Sequence, residues 1–175
     1  MAVDDEQCLA LMRLFAEAVG RDHLLNQGVP SELVEELHML GISSICNLVA
    51  AIKTAHYFEL DSRDMLFTPL TDSMDLYGSR VEERCRIHGP YEEAVAVADF
   101  ARYLQGIGTD NMRELGYHDR KAVHNLKYFT WIEQQGRDVD ELERLWDPDF
   151  WTETYAIVDE WDRQIVNFNA RVGLT

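Results

Sequence analysis

The chain has few of the residues that mark secreted, membrane or nucleic-acid-binding proteins. Its three cysteines, Cys8, Cys46 and Cys85, are odd in number and widely scattered, which argues against a disulfide framework. No apolar run approaches the roughly 20 residues that a membrane-spanning helix requires. The first residues are acidic, whereas a signal peptide begins with basic residues. These absences predict a protein of the reducing cytoplasm with no membrane among its partners.

Basic residues are also scarce. The 175 residues include 16 Lys and Arg against 32 Asp and Glu, for a formal charge of −16. A phosphate backbone is bound through clustered Lys and Arg, so no nucleic acid is expected as a partner. Hydrophobic residues nevertheless make up 46% of the chain, enough for a core in one domain or in a piece of a larger one.

The most informative segment runs from residue 41 to residue 80 and begins with a helical pattern. Four apolar residues recur at the spacing of one helix face: Ile45, Leu48, Val49 and Ile52. Ser43 or Ser44 is expected to cap the first turn of this helix, because a hydroxyl there accepts a hydrogen bond from an unpaired backbone N–H. Lys53 lies in the middle of the same helix and is expected to reach solvent.

A short strand is predicted next, over Met65–Leu70, which is apolar on both faces, as strands of a helix-covered parallel sheet are. Pro69 cannot donate to a strand ladder, so it is expected at the strand end or at a sheet edge. Three polar residues follow directly: Thr71, Asp72 and Ser73. Ligands of open α/β sheets bind beyond the carboxyl ends of strands, so this loop is the first candidate binding site. The same residues could instead cap a helix that begins near Met74.

Only helices are predicted elsewhere. The patterns indicate a first helix from Asp4 to Gly20 or Leu25, a second that Pro30 opens, and a charged helix over residues 81–88. Further helices are expected over residues 91–104, 110–115, 117–135, 139–146 and 149–171. One strand cannot form a sheet. The expected fold is therefore mostly α with a small α/β element whose sheet is completed by residues that this chain lacks, or is entirely helical.

Two apolar sets in the C-terminal part are expected to pack. Candidate anchors of the helix over residues 117–135 are Val123, Leu126, Phe129, Trp131 and Ile132. Along the last helix, one face carries Trp151, Tyr155, Val158, Trp161 and Ile165. Such a face stabilises a fold only when it is covered, by other helices of this chain, by a missing part of the protein or by a second copy. Because one strand offers no sheet, part of the apolar surface of residues 1–80 is also expected to stay exposed, which predicts self-association or poor solubility.

The order of motifs over residues 1–80 resembles the end of cysteine synthases, which belong to the tryptophan synthase β-family of fold-type II pyridoxal phosphate (PLP) enzymes. The resemblance is carried by Val3-Asp4-Asp5-Glu6, Gly41-Ile42-Ser43-Ser44, the Ala-rich helix, the strand and Tyr77. A longer version of the pattern includes residues 28–37 and a helical tail with Leu126-Lys127-Tyr128-Phe129-Thr130-Trp131. It resembles a subgroup of larger cysteine synthase-like proteins. This resemblance implies that residues 1–88 are the C-terminal part of the PLP-enzyme α/β domain and residues 89–175 a helical tail.

The resemblance also implies a cofactor site. In the family, a Ser or Thr after the strand hydrogen-bonds the pyridine nitrogen of PLP. Thr71 matches that residue best, and Asp72 and Ser73 are the alternatives; an acidic partner would favour a protonated pyridine. Three further residues match the turn that borders the cofactor: Gly41, Ser43 and Ser44. The motifs of the covalent lysine and of the Gly-rich phosphate cradle are not found in this chain. PLP is therefore expected only together with a missing N-terminal half, and no catalytic residue is assigned.

Two functions follow from these observations. The first is the C-terminal portion of a PLP-dependent lyase or synthase, inactive alone, that performs β-replacement or β-elimination on an amino-acid substrate. Its expected partner is the missing N-terminal half or a second copy in a homo-oligomer. The second is a non-enzymatic helical protein-interaction module. No metal site is expected, because the Cys85-x-x-His88 pattern offers only two ligands.

Overall fold

The computed structural model describes residues 1–174 and is mostly helical, as predicted. Within those residues it contains no strand, so the α/β element is not formed there. The chain divides into two compact units, residues 1–113 and the part from Glu114 onward. The first unit thus extends past the boundary at residue 88 that the motifs suggested. No helix in the described part of the chain combines the length and the apolar character needed to cross a membrane.

The first unit is built around its first helix. Its helices are α1 (Asp5–Ala16), α2 (Ala18–Asn26), α3 (Ser31–Leu37), α4 (Ile42–Tyr57), α5 (Gly78–His88) and α6 (Glu93–Asp99), with a 3-10 turn over Met74–Leu76 and a π-helical turn over Phe100–Gln105. Leu11, Met12 and Leu14 of α1 are completely buried, because α2, α4 and α6 pack around this helix. The Asp4 carboxylate caps the first turn of α1.

The first helix was predicted to continue to Gly20 or Leu25, but it is broken at Glu17. After the break, Gly20 of α2 approaches the backbone of Leu14. A Cβ atom at residue 20 would collide with the carbonyl oxygen of Leu14. The glycine therefore allows α2 to turn back closely against α1.

The helix predicted near residue 45 is confirmed as α4. Ile45 and Val49 are completely buried in the core, and Leu48 and Ile52 pack at its edge. The predicted serine cap is wrong, because neither Ser43 nor Ser44 caps the helix with its side chain. An acidic residue from the next loop takes that role.

The prediction that Lys53 reaches solvent is also wrong, since its side chain is completely buried. Lys53 follows Ile45 and Val49 at i+8 and i+4, so it lies on the same inward face of α4. Its Nζ donates to the backbone carbonyl of Asp110 at 2.9 Å and lies 3.1 Å from Oδ2 of the same residue. The ion pair and hydrogen bond replace the water that a buried ammonium loses.

The predicted strand over Met65–Leu70 is wrong for the described chain, where these residues have no regular secondary structure. A strand needs a neighbour for its backbone hydrogen bonds, and residues 1–174 supply none. Most of the segment's apolar side chains are therefore exposed; Met65 is 78% exposed and Phe67 86%. The carbonyl of Pro69 is tied to α4 by the Asn47 amide at 2.9 Å.

The helix predicted over residues 110–115 is not formed either. Asp110 is held by Lys53 and does not cap a helix, and Asn111 adopts a left-handed backbone conformation with φ 56°. The backbone carbonyl of Asn111 accepts a hydrogen bond from the N–H of Ala2 at 2.9 Å. These tertiary contacts fix the loop in an irregular path.

The second unit is a set of short helices: α7 (Tyr117–Asn125), α8 (Val139–Arg144), α9 (Pro148–Ala156) and α10 (Val158–Val172), with a π-helical turn over Phe129–Gln134. The single helix predicted over residues 149–171 is thus two helices that meet at Ile157. Among the described residues of this unit, only His124 and Leu142 are buried.

Three anchors predicted for a helix over residues 117–135 are wrong: Val123, Leu126 and Phe129 are 52%, 62% and 55% exposed. The opposite face of α7 turns inward instead. His124 on that face packs edge-on against Trp146, with 5.2 Å between ring centroids. Aromatic contact with Trp146 therefore decides which face of the helix is covered.

Candidate functional site

The loop after residue 70 meets the start of α4 at one carboxylate. Oδ2 of Asp72 accepts a hydrogen bond from the backbone N–H of Ser43 at 2.9 Å, and Oδ1 accepts one from the N–H of Ser44 at 2.7 Å. These N–H groups have no partner within the helix, and they carry the positive end of its dipole. Asp72 is therefore the N-terminal cap of α4, supplied from 28 residues further along the chain.

The Ser44 side chain reinforces the same junction. Its hydroxyl lies 2.7 Å from Oδ1 of Asp72 and 2.9 Å from the carbonyl oxygen of that residue, and it accepts from the Asp72 N–H at 3.2 Å. The N–H of Gly41 donates to the same Asp72 carbonyl at 3.2 Å. Backbone and side chain of Asp72 are thus both fixed to the turn that precedes α4.

Tyr77 and Gly41 close the junction on its other sides. The Tyr77 hydroxyl donates to Oδ2 of Asp72 at 2.7 Å. This hydrogen bond to the carboxylate raises the pKa of the Tyr77 phenol. A Cβ atom at Gly41 would lie 2.5 Å from Cγ of Asp72 and 2.8 Å from the Tyr77 ring. Only glycine allows the turn to approach the carboxylate and the ring this closely.

The electrostatics of the junction favour an ionised Asp72. Removal from water works against ionisation, but it is outweighed by the hydrogen bonds from Tyr77, Ser44 and Ser43. Together these effects lower the pKa of Asp72 to about 2. Because its oxygens are occupied by these donors, Asp72 anchors the loop and is not a free acidic group.

The two neighbouring hydroxyls differ in what they contact. Ser73 accepts from the N–H of Asp75 at 3.4 Å and caps the short 3-10 turn, which agrees with the alternative reading of this loop as a helix cap. Thr71 is exposed, and its hydroxyl has no hydrogen-bond partner among residues 1–174. Thr71 is therefore the side chain of this loop that remains free to bind a ligand.

The structure thus brings the predicted site residues together. The turn with Gly41, Ser43 and Ser44 is directly bonded to Asp72, and Thr71 and Ser73 flank that anchor. A hydroxyl at Thr71 fits the hydrogen bond that an unprotonated pyridine nitrogen requires, whereas the engaged Asp72 does not fit the role of an acidic partner. The loop therefore offers one free hydroxyl to a ligand, at Thr71.

Two features of this region were not assigned a role from the sequence. Tyr77 enters the sequence analysis only as part of a motif, and its contact with Asp72 depends on the 3-10 turn over Met74–Leu76 that lies between them. The pair of Lys53 and Asp110 depends on a loop 57 residues away, and no pattern in the sequence indicates it.

Comparisons with protein-family models, with curated proteins and with solved structures found no match to this chain. The resemblance to cysteine synthases is accordingly carried by the motifs in the sequence alone.

Proposed function

We propose that this chain is the C-terminal portion of a cysteine synthase-like PLP-dependent enzyme that acts at the β-carbon of an amino-acid substrate. The observation that supports the proposal most is the bonding of Asp72 to Ser43 and Ser44. It joins the two segments that the motifs relate to the cofactor, although 28 residues separate them in the chain. If Asp72 served only to cap α4, the turn before α4 and the loop after residue 70 would not both need to carry these motifs.

In this proposal, the chain's residues position the edge of the cofactor. The Thr71 hydroxyl would donate to the pyridine nitrogen, while Asp72, held by the turn before α4, keeps the loop in place. Bound PLP supplies the electron sink for elimination or replacement chemistry. A neutral hydroxyl partner leaves the pyridine unprotonated, which suits chemistry at the β-carbon.

The N-terminal portion of the enzyme would supply the lysine that holds the cofactor and the phosphate cradle. Lys53 is unsuited to the first role because its Nζ is buried and bonded to Asp110. The exposed segment Met65–Leu70 leads directly into the site and is apolar enough to join a sheet. Adding a strand to a sheet edge is a common way for an extended segment to bind.

Reconstitution tests this function. The chain is mixed with the N-terminal portion of a cysteine synthase-like enzyme that ends where residue 1 begins, together with PLP, and dialysed. We expect a persistent visible absorbance in the mixture and none with the chain alone. In the mixture, Thr71→Ala should weaken cofactor retention, whereas the matched hydroxyl variant Ser62→Ala, at an exposed turn, should not. Equal retention by both variants would remove Thr71 from the site.

The second candidate function is a non-enzymatic interaction module. It is favoured by the apolar side chains of α9 and α10 that remain exposed, including Trp151, Tyr155 and Trp161. A chain that binds no N-terminal portion and retains no PLP in any mixture, yet binds another protein through these side chains, would support this alternative.

A further inference from the structure

Helix α10 carries an uncovered apolar face. Five side chains form it, and we call them the α10 stripe: Val158, Trp161, Ile165, Phe168 and Val172. Their exposed fractions are 40%, 54%, 56%, 60% and 50%. No residue of α10 is buried, and the helix packs mainly against the adjoining α9. An isolated helix of this length is marginal in water, so the stripe needs a partner surface.

The spacing of the stripe identifies the geometry of that surface. Its members follow one another at steps of three, four, three and four, the heptad pattern of positions a and d in a coiled coil. The a positions hold Val158, Ile165 and Val172, and the d positions hold Trp161 and Phe168. In parallel coiled coils, β-branched residues at a favour two strands, here with aromatic residues at d in place of the usual Leu. We therefore propose that the α10 stripe pairs with the same stripe of a second copy of this chain, in parallel about a two-fold axis.

The side chains beside the stripe fit a second copy. A parallel pair brings position g of one helix to position e of the next heptad in the other, which places Gln164 beside Asn169 of the second copy. Two amides can hydrogen-bond there, and no like charges meet. An antiparallel pair has two registers that set a against d; one places Asp162 against the same residue of the second copy, and the other places Asp162 beside Asn169 and Gln164 beside Arg171. The residues beside the stripe therefore permit the parallel arrangement, and the β-branched residues at a favour it.

The charged residues of α10 do not obstruct this pairing. Glu160 and Arg163 lie at positions c and f, on the outer side of the helix, and they form an ion pair at 2.6 Å. The Gln164 amide donates to Glu160 at 3.0 Å and keeps its own oxygen free to accept. Gly173, in the left-handed conformation with φ 76°, ends the helix directly after the last member of the stripe.

The size of the stripe predicts a concentration-dependent dimer. Buried aromatic side chains contribute roughly 150–250 Å² each, and the stripe holds two of them. Both copies together would cover on the order of 1,000 Å², which is at the lower limit for a specific interface. The pairing should therefore be detectable in the micromolar range and should dissociate on dilution.

Sedimentation equilibrium of the full chain over a concentration series tests the proposal. We expect a monomer–dimer equilibrium. Ile165→Asp, which sets a charge into the seam, should raise the dissociation constant by at least about tenfold. The matched control is Val166→Asp on the adjoining position outside the stripe, 61% exposed, which should change it by no more than about twofold. Far-ultraviolet circular dichroism checks that both variants keep their helices.

The orientation has its own test. In a parallel dimer, the double variant Gln164→Lys with Asn169→Glu creates an attractive pair across the seam and should tighten the dimer. In an antiparallel dimer the same variant sets the new Lys beside the same residue or Arg171 of the second copy, or the new Glu beside Asp162, so like charges meet in either register and the dimer should weaken. A chain that stays monomeric at all concentrations, or a dimer that responds equally to the changes at residues 165 and 166, overturns the proposal. So does a stripe that proves to bind only the N-terminal portion.

Discussion

Oδ1 of Asp72 lies 2.7 Å from both the backbone nitrogen and the hydroxyl oxygen of Ser44. This contact connects a loop that is otherwise irregular to the buried helix α4. The loop carries the Thr71 hydroxyl, which is free to bind a ligand, and α4 contributes buried side chains to the core. The candidate site is therefore held against α4 by both the carboxylate and the backbone of Asp72.

Replacing Asp72 with Asn removes the charge and leaves the shape of the cap nearly unchanged. We expect Asp72→Asn to lower the free energy of unfolding by about 1–2 kcal/mol, because the amide nitrogen cannot accept the hydrogen bonds that one carboxylate oxygen takes and the remaining bonds lose their charge assistance. Urea denaturation followed by circular dichroism measures this change. The control, Asp75→Asn, alters an exposed carboxylate outside the α4 cap and should cost less than about 0.5 kcal/mol. Equal losses in both variants would contradict the capping role.

The same carboxylate predicts a pH dependence. The pKa of Asp72 is about 2 in the folded chain and 3.8 ordinarily, so the unfolded state binds its proton more readily. The stability that Asp72 contributes is complete well above pH 3.8 and is lost as the pH falls toward about 2. The difference in unfolding free energy between the native chain and Asp72→Asn should shrink by on the order of 1 kcal/mol over that range, after allowance for partial exposure. A pH-independent difference would show that the charge is not involved.

Gly41 should tolerate no side chain. Gly41→Ala places a methyl group 2.6 Å from Oδ2 of Asp72, so either the carboxylate or the turn has to move. We expect a loss of about 1–3 kcal/mol, as for other overpacked sites. Gly78→Ala is the matched control, because a Cβ there meets no heavy atom within 4 Å at the start of α5. Thermal unfolding of both variants measures the difference. An unfolding midpoint that Gly41→Ala leaves unchanged would refute the close approach of Gly41 to Asp72.

Much of the helical architecture follows from the sequence, and the exceptions have physical causes. The periodicity of Ile45 and Val49 predicts α4 because those residues are buried by the neighbouring helix α1. The same periodicity, continued by four residues, places Lys53 on the buried face. The expectation of an exposed lysine is wrong because Asp110, which is distant in sequence, satisfies the buried charge.

The site could be predicted only in part. The sequence indicates which segments carry polar motifs, but the residue that joins them, Asp72, depends on a tertiary contact with Ser44. The segment Met65–Leu70 has the composition of a strand and lacks a partner in the described chain, so its local pattern has no effect on the structure there. Local sequence patterns predict helix faces and turns, whereas a strand also needs a neighbouring strand, which its own sequence does not specify.

Lys53 should be protected from chemical modification. The folded chain is treated with PLP and borohydride, and the modified lysines are mapped by mass spectrometry. We expect labelling of the exposed Lys127 and none of Lys53, whose Nζ is enclosed and bonded to Asp110. After denaturation both lysines should react. Labelling of Lys53 at the rate of Lys127 in the folded chain would contradict the burial and would reopen a cofactor role for this lysine.

Under the proposed function, residues 65–70 of this chain would complete the sheet of a PLP-dependent enzyme. Amide hydrogen exchange over residues 65–70 tests it most directly, with the chain alone and after addition of the N-terminal portion of a cysteine synthase-like enzyme. Residues 65–70 are irregular in the described chain, so their amides should exchange rapidly when it is alone. The account predicts strong protection of these amides in the complex, as strand pairing forms. Rapid exchange in both samples, with the two proteins bound or unbound, would contradict it.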